Sequence, residues 1–157
     1  MRKSVFAALV AAGALLVALA PAASAAKLSS AEGAPNITEG SPTGYYIFHS
    51  DDSFHLRTHG PGAEHDFDAV LRTNGTFENV DVVKLEADDK VDVVDGGHKM
   101  VIHFHTFDLT DGVNFTIRDG TKLHLNLKLD DKTAPTDQIF LGAKGKHPKK
   151  NPFSIKL

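Results

Sequence analysis

The chain has no cysteine and no tryptophan, and only two tyrosines in 157 residues. The first absence excludes disulfides, so burial alone must hold any fold. It also removes thiolate from every metal site and every nucleophile. The second absence weakens carbohydrate recognition by ring stacking, which rests on exposed aromatics. Beyond residue 25 no apolar run approaches the roughly 20 residues that a spanning helix needs. No membrane span is expected once the leader is removed. There is no Gly-X-Ser-X-Gly, no phosphate loop and no dinucleotide fingerprint. A helical period of 3.6 is missing after the leader, apart from a possible short turn at 136–140.

What is present begins with MRKSVFAALVAAGALLVALAPAASA. Arg2 and Lys3 precede an apolar stretch, and Ala23-Ser24-Ala25 supplies small residues at a cleavage site. This is the architecture of a secretory signal peptide over residues 1–25. The expected location is secreted or extracytoplasmic, and a cysteine-free exported chain with this leader points to a bacterial source. Residues 26–43, rich in Ser, Gly, Pro and Ala, read as a flexible arm. Residues 44–157 then form one β-domain. That is long enough for a real core.

Losing the leader removes Arg2 and Lys3 from 17 basic residues, leaving 15 against 20 acids and a net charge of −5. All nine histidines lie after it, and protonating all of them would bring the balance to +4. Histidine titrates near pH 6.5. The surface charge is therefore expected to change sign in mildly acidic surroundings.

From Gly44 onward, alternating runs are separated by turn residues every 8 to 12 positions, the rhythm of a sandwich or barrel. The runs are 45–50, 53–59, 65–73, 76–87, 90–95, 98–107, 113–119 and 122–130, with a last short strand near Phe153 and Ile155. Asn74-Gly75 and Asp111-Gly112 read as hairpin turns, because glycine supplies the positive φ they require. The expected fold is an all-β, antiparallel sandwich of about 8–10 strands, jelly-roll-like or a meander. A closed barrel is the alternative.

Alternation also sorts faces. Leu123, Leu125, Leu127 and Leu129 share one side, as do Met100, Ile102 and Phe104. His103, His105, His124 and Asn126 face away from them. His103-X-His105 places two imidazoles roughly 6.5–7 Å apart on one strand face. A third ligand from a neighbouring strand, with His124 the best candidate, would make a site for zinc or copper. The plainer reading is a half-exposed sheet surface. Tyr45, Tyr46, His55, Arg57 and Asn126 are candidates for a ligand surface: the tyrosines for stacking, and His55 and Arg57 for an anion on one strand face. A glycan or cell-wall component is the expected class of ligand, and nucleic acid is not.

The stretches GYYIFHSDDSFHLRTHGPG and IFLGAKGKHPKKNPF resemble a family of small exported bacterial β-domains, over most of residues 44–157. The resemblance implies one exported β-domain and no catalytic residues. His103-X-His105 is also similar to the cupin pair, five residues after Gly97. The glutamate that should follow is replaced by Thr106-Phe107-Asp108-Leu109, and the second cupin motif is missing. Two functions are thus expected: a non-catalytic binding or cell-surface module, or a cupin-like metal-dependent enzyme.

Overall fold

The computed structural model describes residues 31–84, 86–107 and 110–157, with the side chain of Phe107 outside the description. The expected leader, residues 1–25, lies outside the described residues. Eleven strands are present among those described. They are β1 (Gly44–Ser50), β2 (Ser53–His59), β3 (Glu64–Thr73), β4 (Thr76–Val83), β5 (Lys90–Val94) and β6 (Lys99–Phe107). The rest are β7 (Thr110–Arg118), β8 (Lys122–Leu129), β9 (Lys132–Thr133), β10 (Ile139–Leu141) and β11 (Phe153–Lys156).

They form two sheets. The first runs β10-β1-β2-β7-β4, and the second runs β11-β8-β3-β6-β5, with β9 paired to β8. Neither closes on itself, so the fold is a sandwich and not the barrel held as alternative. It is not a meander either, because the chain passes repeatedly between the two sheets. Every pairing between these strands is antiparallel except β1 with β10, where Tyr45, Tyr46 and Ile47 sit beside Ile139, Phe140 and Leu141 in parallel.

The alternation holds. Phe67, Ala69 and Leu71 of β3, Met100, Ile102 and Phe104 of β6, and Leu123, Leu125 and Leu127 of β8 are all buried. They meet Tyr45, Ile47, Leu56, Val113 and Phe115 from the first sheet in one core. Tyr45 crosses it. Its ring packs edge-on to Phe67 at 5.2 Å, and its hydroxyl lies 2.8 Å from the Asp68 carbonyl oxygen and 2.5 Å from that of Lys128. Burial pushes the Tyr45 phenol well above its ordinary range, and the Asp68 charge adds to the effect. The acids that cluster at turns have a conformational reason. Asp51, Asp52, Asp95, Asp119, Asp130 and Asp131 all take positive φ, which Asp tolerates better than most residues.

Three expectations are corrected. Asn74-Gly75 is not a hairpin turn: β3 pairs with β6 and β8, while β4 pairs with β7 in the other sheet. Gly75 is needed for close approach there, since a Cβ would sit 2.3 Å from the Arg118 carbonyl oxygen and 2.5 Å from the Gly120 nitrogen. Asp111-Gly112 is not a turn but lies inside β7. The arm read at 26–43 is not free throughout. Ala31 is fully buried, and Gly33 N and Ala31 O bond to the His49 carbonyl and amide at 3.0 and 2.8 Å.

Among the described residues only Val93 and Val94 are large, apolar and exposed, and both lie on the edge strand β5. The other edges are blunted as sheet edges commonly are. β4 carries a register shift between Glu78 and Asp81, and β10 and β11 are short.

Candidate binding face

The outer face of the second sheet is built by β6, β3 and β8 with β5 and β11 at its edges. Its side chains lie in rows set by register. Asp66 stands opposite His105, and Asp68 stands between His103 on one side and Lys128 on the other. Val70 lies between Val101 and Asn126, and Arg72 between Lys99 and His124. Lys90 and Asp92 of β5 continue two rows, opposite His103 and Val101. The expected sharing of one face by His103, His105, His124 and Asn126 is what the register produces.

The two histidines are not bare. His103 Nδ1 donates to Asp68 Oδ1 at 2.8 Å, and His105 Nδ1 donates to Asp66 Oδ1 at 2.8 Å. An ionised carboxylate can only accept, so each ring carries its proton on Nδ1 and turns Nε2 outward. A third pair stands at the same end, with His65 Nδ1 3.0 Å from Asp130 Oδ2. The hydrogen bond to Asp66 raises the His105 imidazole above its ordinary value against some desolvation, with Asp66, Glu64 and Asp88 adding charge. Desolvation pushes Asp130 upward, but hydrogen bonds from the Asp66 amide and His65 outweigh it and hold the carboxyl low. We expect Asp66→Asn to lower the His105 midpoint. Two-dimensional NMR titration of the ring protons reads it, and an unmoved His105 would contradict the pairing.

The three imidazoles expected to share one ion do not converge. β3 separates His124 from the other two, and His124 Nδ1 instead meets Ser154 Oγ at 3.0 Å. Among the described residues no group of three or more His, Asp or Glu is arranged to hold a metal. With the sheets unclosed, the geometry that a cupin-like centre requires is not found in them.

The ligand candidates are also divided. Asn126 is exposed on the second sheet. It lines a shallow concavity of about 260 Å³ with Asp68, Val70, Val101 and Lys128. Tyr45, Tyr46, His55 and Arg57 belong to the first sheet. Tyr45 points into the core. Tyr46 faces outward but is covered, stacked on Phe140 at 4.6 Å with its hydroxyl donating to the Pro42 carbonyl at 2.7 Å. Neither tyrosine offers a ring to a ligand. His55 and Arg57 share the outer face of the first sheet. There Asn114 Oδ1 accepts from both, at 2.7 Å from His55 Nδ1 and 2.6 Å from Arg57 Nη2.

Asp66 and Asp68 are the residues that sequence reasoning missed on the histidine face. Their signal was the spacing: Asp66-X-Asp68 has the same two-residue period as His103-X-His105. The charge is also uneven. By register, this face presents Arg72, Lys90, Lys99, Lys122, Lys128 and Lys156 against Glu64, Asp66, Asp68 and Asp92. It is cationic in a chain whose formal net charge is −3.

No protein-family model matches the chain, and no curated protein and no solved structure matches it.

Proposed function

We propose that the chain is a secreted binding module, and that the outer face of its second sheet holds an acidic glycan. The observation that carries this reading is the excess of six cations over four carboxylates on one open sheet face of an acidic protein. Such segregation concentrates an anionic polymer at the face and repels it elsewhere. Cations and imidazoles set in rows suit an anionic chain more than neutral sugars held by ring stacking. A concavity smaller than a typical small-molecule pocket suits one sugar substituent of a longer chain. Protonating His105 would strengthen the field as pH falls. The leader sequence supports export, and the absence of a membrane-spanning helix among the described residues is compatible with release.

The test is affinity electrophoresis of the purified protein through gels containing polygalacturonate, with dextran as the neutral control. We expect retardation by polygalacturonate alone, weakened by added salt. A combined Arg72→Ala, Lys99→Ala, Lys128→Ala variant should lose at least about tenfold in affinity, as counterion-releasing contacts are removed. Equal retardation by dextran, or an unaffected variant, would overturn the reading.

A further inference from the structure

The outer face of the first sheet carries an arrangement independent of the binding face. β1 and β2 form a hairpin through Asp51-Asp52, and its register sets Phe48 opposite His55 and Ser50 opposite Ser53. Ser50 and His55 are diagonal neighbours. Ser50 Oγ lies 3.2 Å from His55 Nε2, and the Ser50 carbonyl oxygen lies 3.2 Å from the same nitrogen. The opposite ring nitrogen, Nδ1, lies 2.7 Å from Asn114 Oδ1.

An asparagine can present either end of its amide, so its orientation must be argued. Here two neighbours set it. Arg57 Nη2 can only donate, and it reaches Asn114 Oδ1 at 2.6 Å. Asp81 can only accept, and its Oδ2 takes Asn114 Nδ2 at 3.3 Å. The oxygen therefore faces His55 Nδ1 at 2.7 Å, nearer than Arg57 Nη2 at 3.4 Å from the same nitrogen, and Nδ1 carries the proton that bonds to it. In the neutral ring this leaves the Nε2 lone pair between the Ser50 hydroxyl, which can donate to it, and the Ser50 carbonyl oxygen at the same distance, which cannot. That is the tautomer a general base for serine requires. The ring is also held in place: it stacks on Phe48 at 4.6 Å, with planes 14° apart. Arg57 is seated by its own bonds to the Leu56 and Val113 carbonyls at 3.1 and 3.2 Å. Gly112 makes room for it, because a Cβ there would stand 2.6 Å from Arg57 Cδ and 2.8 Å from Nη1.

We propose that Ser50, His55 and Asn114 act as nucleophile, general base and positioning residue in the hydrolysis of carboxylic esters of small acyl groups. Ser50 Oγ bonds to the ester carbonyl carbon as its proton passes to His55 Nε2. The bond to the alcohol oxygen breaks, and the alcohol leaves with that proton. Water then attacks the acyl-serine by the same route, releasing the carboxylic acid and restoring Ser50. The amides of Asp51 and Asp52 adjoin the nucleophile and make no hydrogen bond among the described residues, so they are donors on offer to the oxyanion. The site is an open strand surface beside two exposed carboxylates, Asp51 and Asp52. This favours a neutral ester displayed on a larger molecule over a free anionic one.

The experiment uses a fluorophosphonate probe, which traps an activated serine covalently. The purified protein is incubated with it, and adducts are mapped by mass spectrometry. We expect one adduct on Ser50, absent in Ser50→Ala and formed at least about 100-fold more slowly in His55→Gln, the usual scale for losing a general base. Asn114→Asp should keep the rate, since a carboxylate orients the ring equally well, while Asn114→Leu should lower it. A merely structural role for Asn114 predicts equal rates in the two. Turnover of 4-nitrophenyl acetate is read as the difference from Ser50→Ala, because nine imidazoles hydrolyse aryl esters unaided. Thermal melts confirm that each variant is folded. No Ser50 adduct on the folded protein, or equal labelling of wild type and His55→Gln, overturns the proposal. The polygalacturonate result is untouched either way.

Discussion

Phe67→Ala is expected to cost about 3–5 kcal/mol, the range for removing a buried aromatic side chain. Phe67 is fully buried at the middle of β3, the strand flanked by both β6 and β8. It meets Tyr45 of the other sheet edge-on, so truncation opens a void where the two sheets touch. A domain of this size has about 5–15 kcal/mol in total, so the variant would sit near the edge of folding. Urea unfolding is the measurement. The midpoint should fall steeply with the slope unchanged. An unmoved midpoint would mean that the two sheets do not share this core.

Asp111→Asn is expected to do the reverse at neutral pH and stabilise the fold by roughly 1–3 kcal/mol, because the amide that replaces the carboxylate carries no charge to desolvate. Asp111 is buried on the inner side of β7, and neither carboxylate oxygen has a well-formed hydrogen bond among the described residues. Desolvation raises its carboxyl above the ordinary value. Thr106 opposes this, the charges of Asp89 and Glu86 add to it, and Lys84 offsets a little. The folded chain therefore holds this proton more tightly than the unfolded chain. The group's favourable contribution is complete below the unfolded pKa and is lost as pH rises through the folded one. Thermal melts from pH 3 to pH 8 should show the variant's advantage growing across that window and vanishing at its acid end. A constant advantage at all pH values would point to packing instead of charge.

How much of this was legible in the sequence depends on the range of the interaction. Alternation is local, so the β8 leucines and the β6 core residues could be assigned to a face without knowing their partners. The Asp51-Asp52 hairpin and the Gly96-Gly97 turn into β6 were legible for the same reason. Asn74-Gly75 looked identical in kind, yet it carries the chain from one sheet to the other. Turn chemistry specifies a reversal, not the strand that receives it. The site divides in the same way. Strand period placed His103 and His105 together, but their carboxylates come from β3, more than 30 positions earlier. Tyr46 looked available because β10, which covers it through Phe140, has only three residues and a weak pattern of its own. Asn114 could not be picked out from its own strand, because its meaning comes from β2 on one side and β4 on the other.

The passage of the chain between sheets has a consequence for how the molecule comes apart. One sheet draws on β1, β2, β4, β7 and β10, and the other on β3, β5, β6, β8, β9 and β11. No cut between β3 and β10 leaves either sheet whole on one side of it. Neither half can serve as a folding nucleus that persists alone, and partial opening has no natural seam. The molecule should therefore exchange its core amides in one concerted event instead of by independent sub-units. Fragments made by cleavage in the β4–β5 or β7–β8 connection should be without structure apart, and recover it only when mixed.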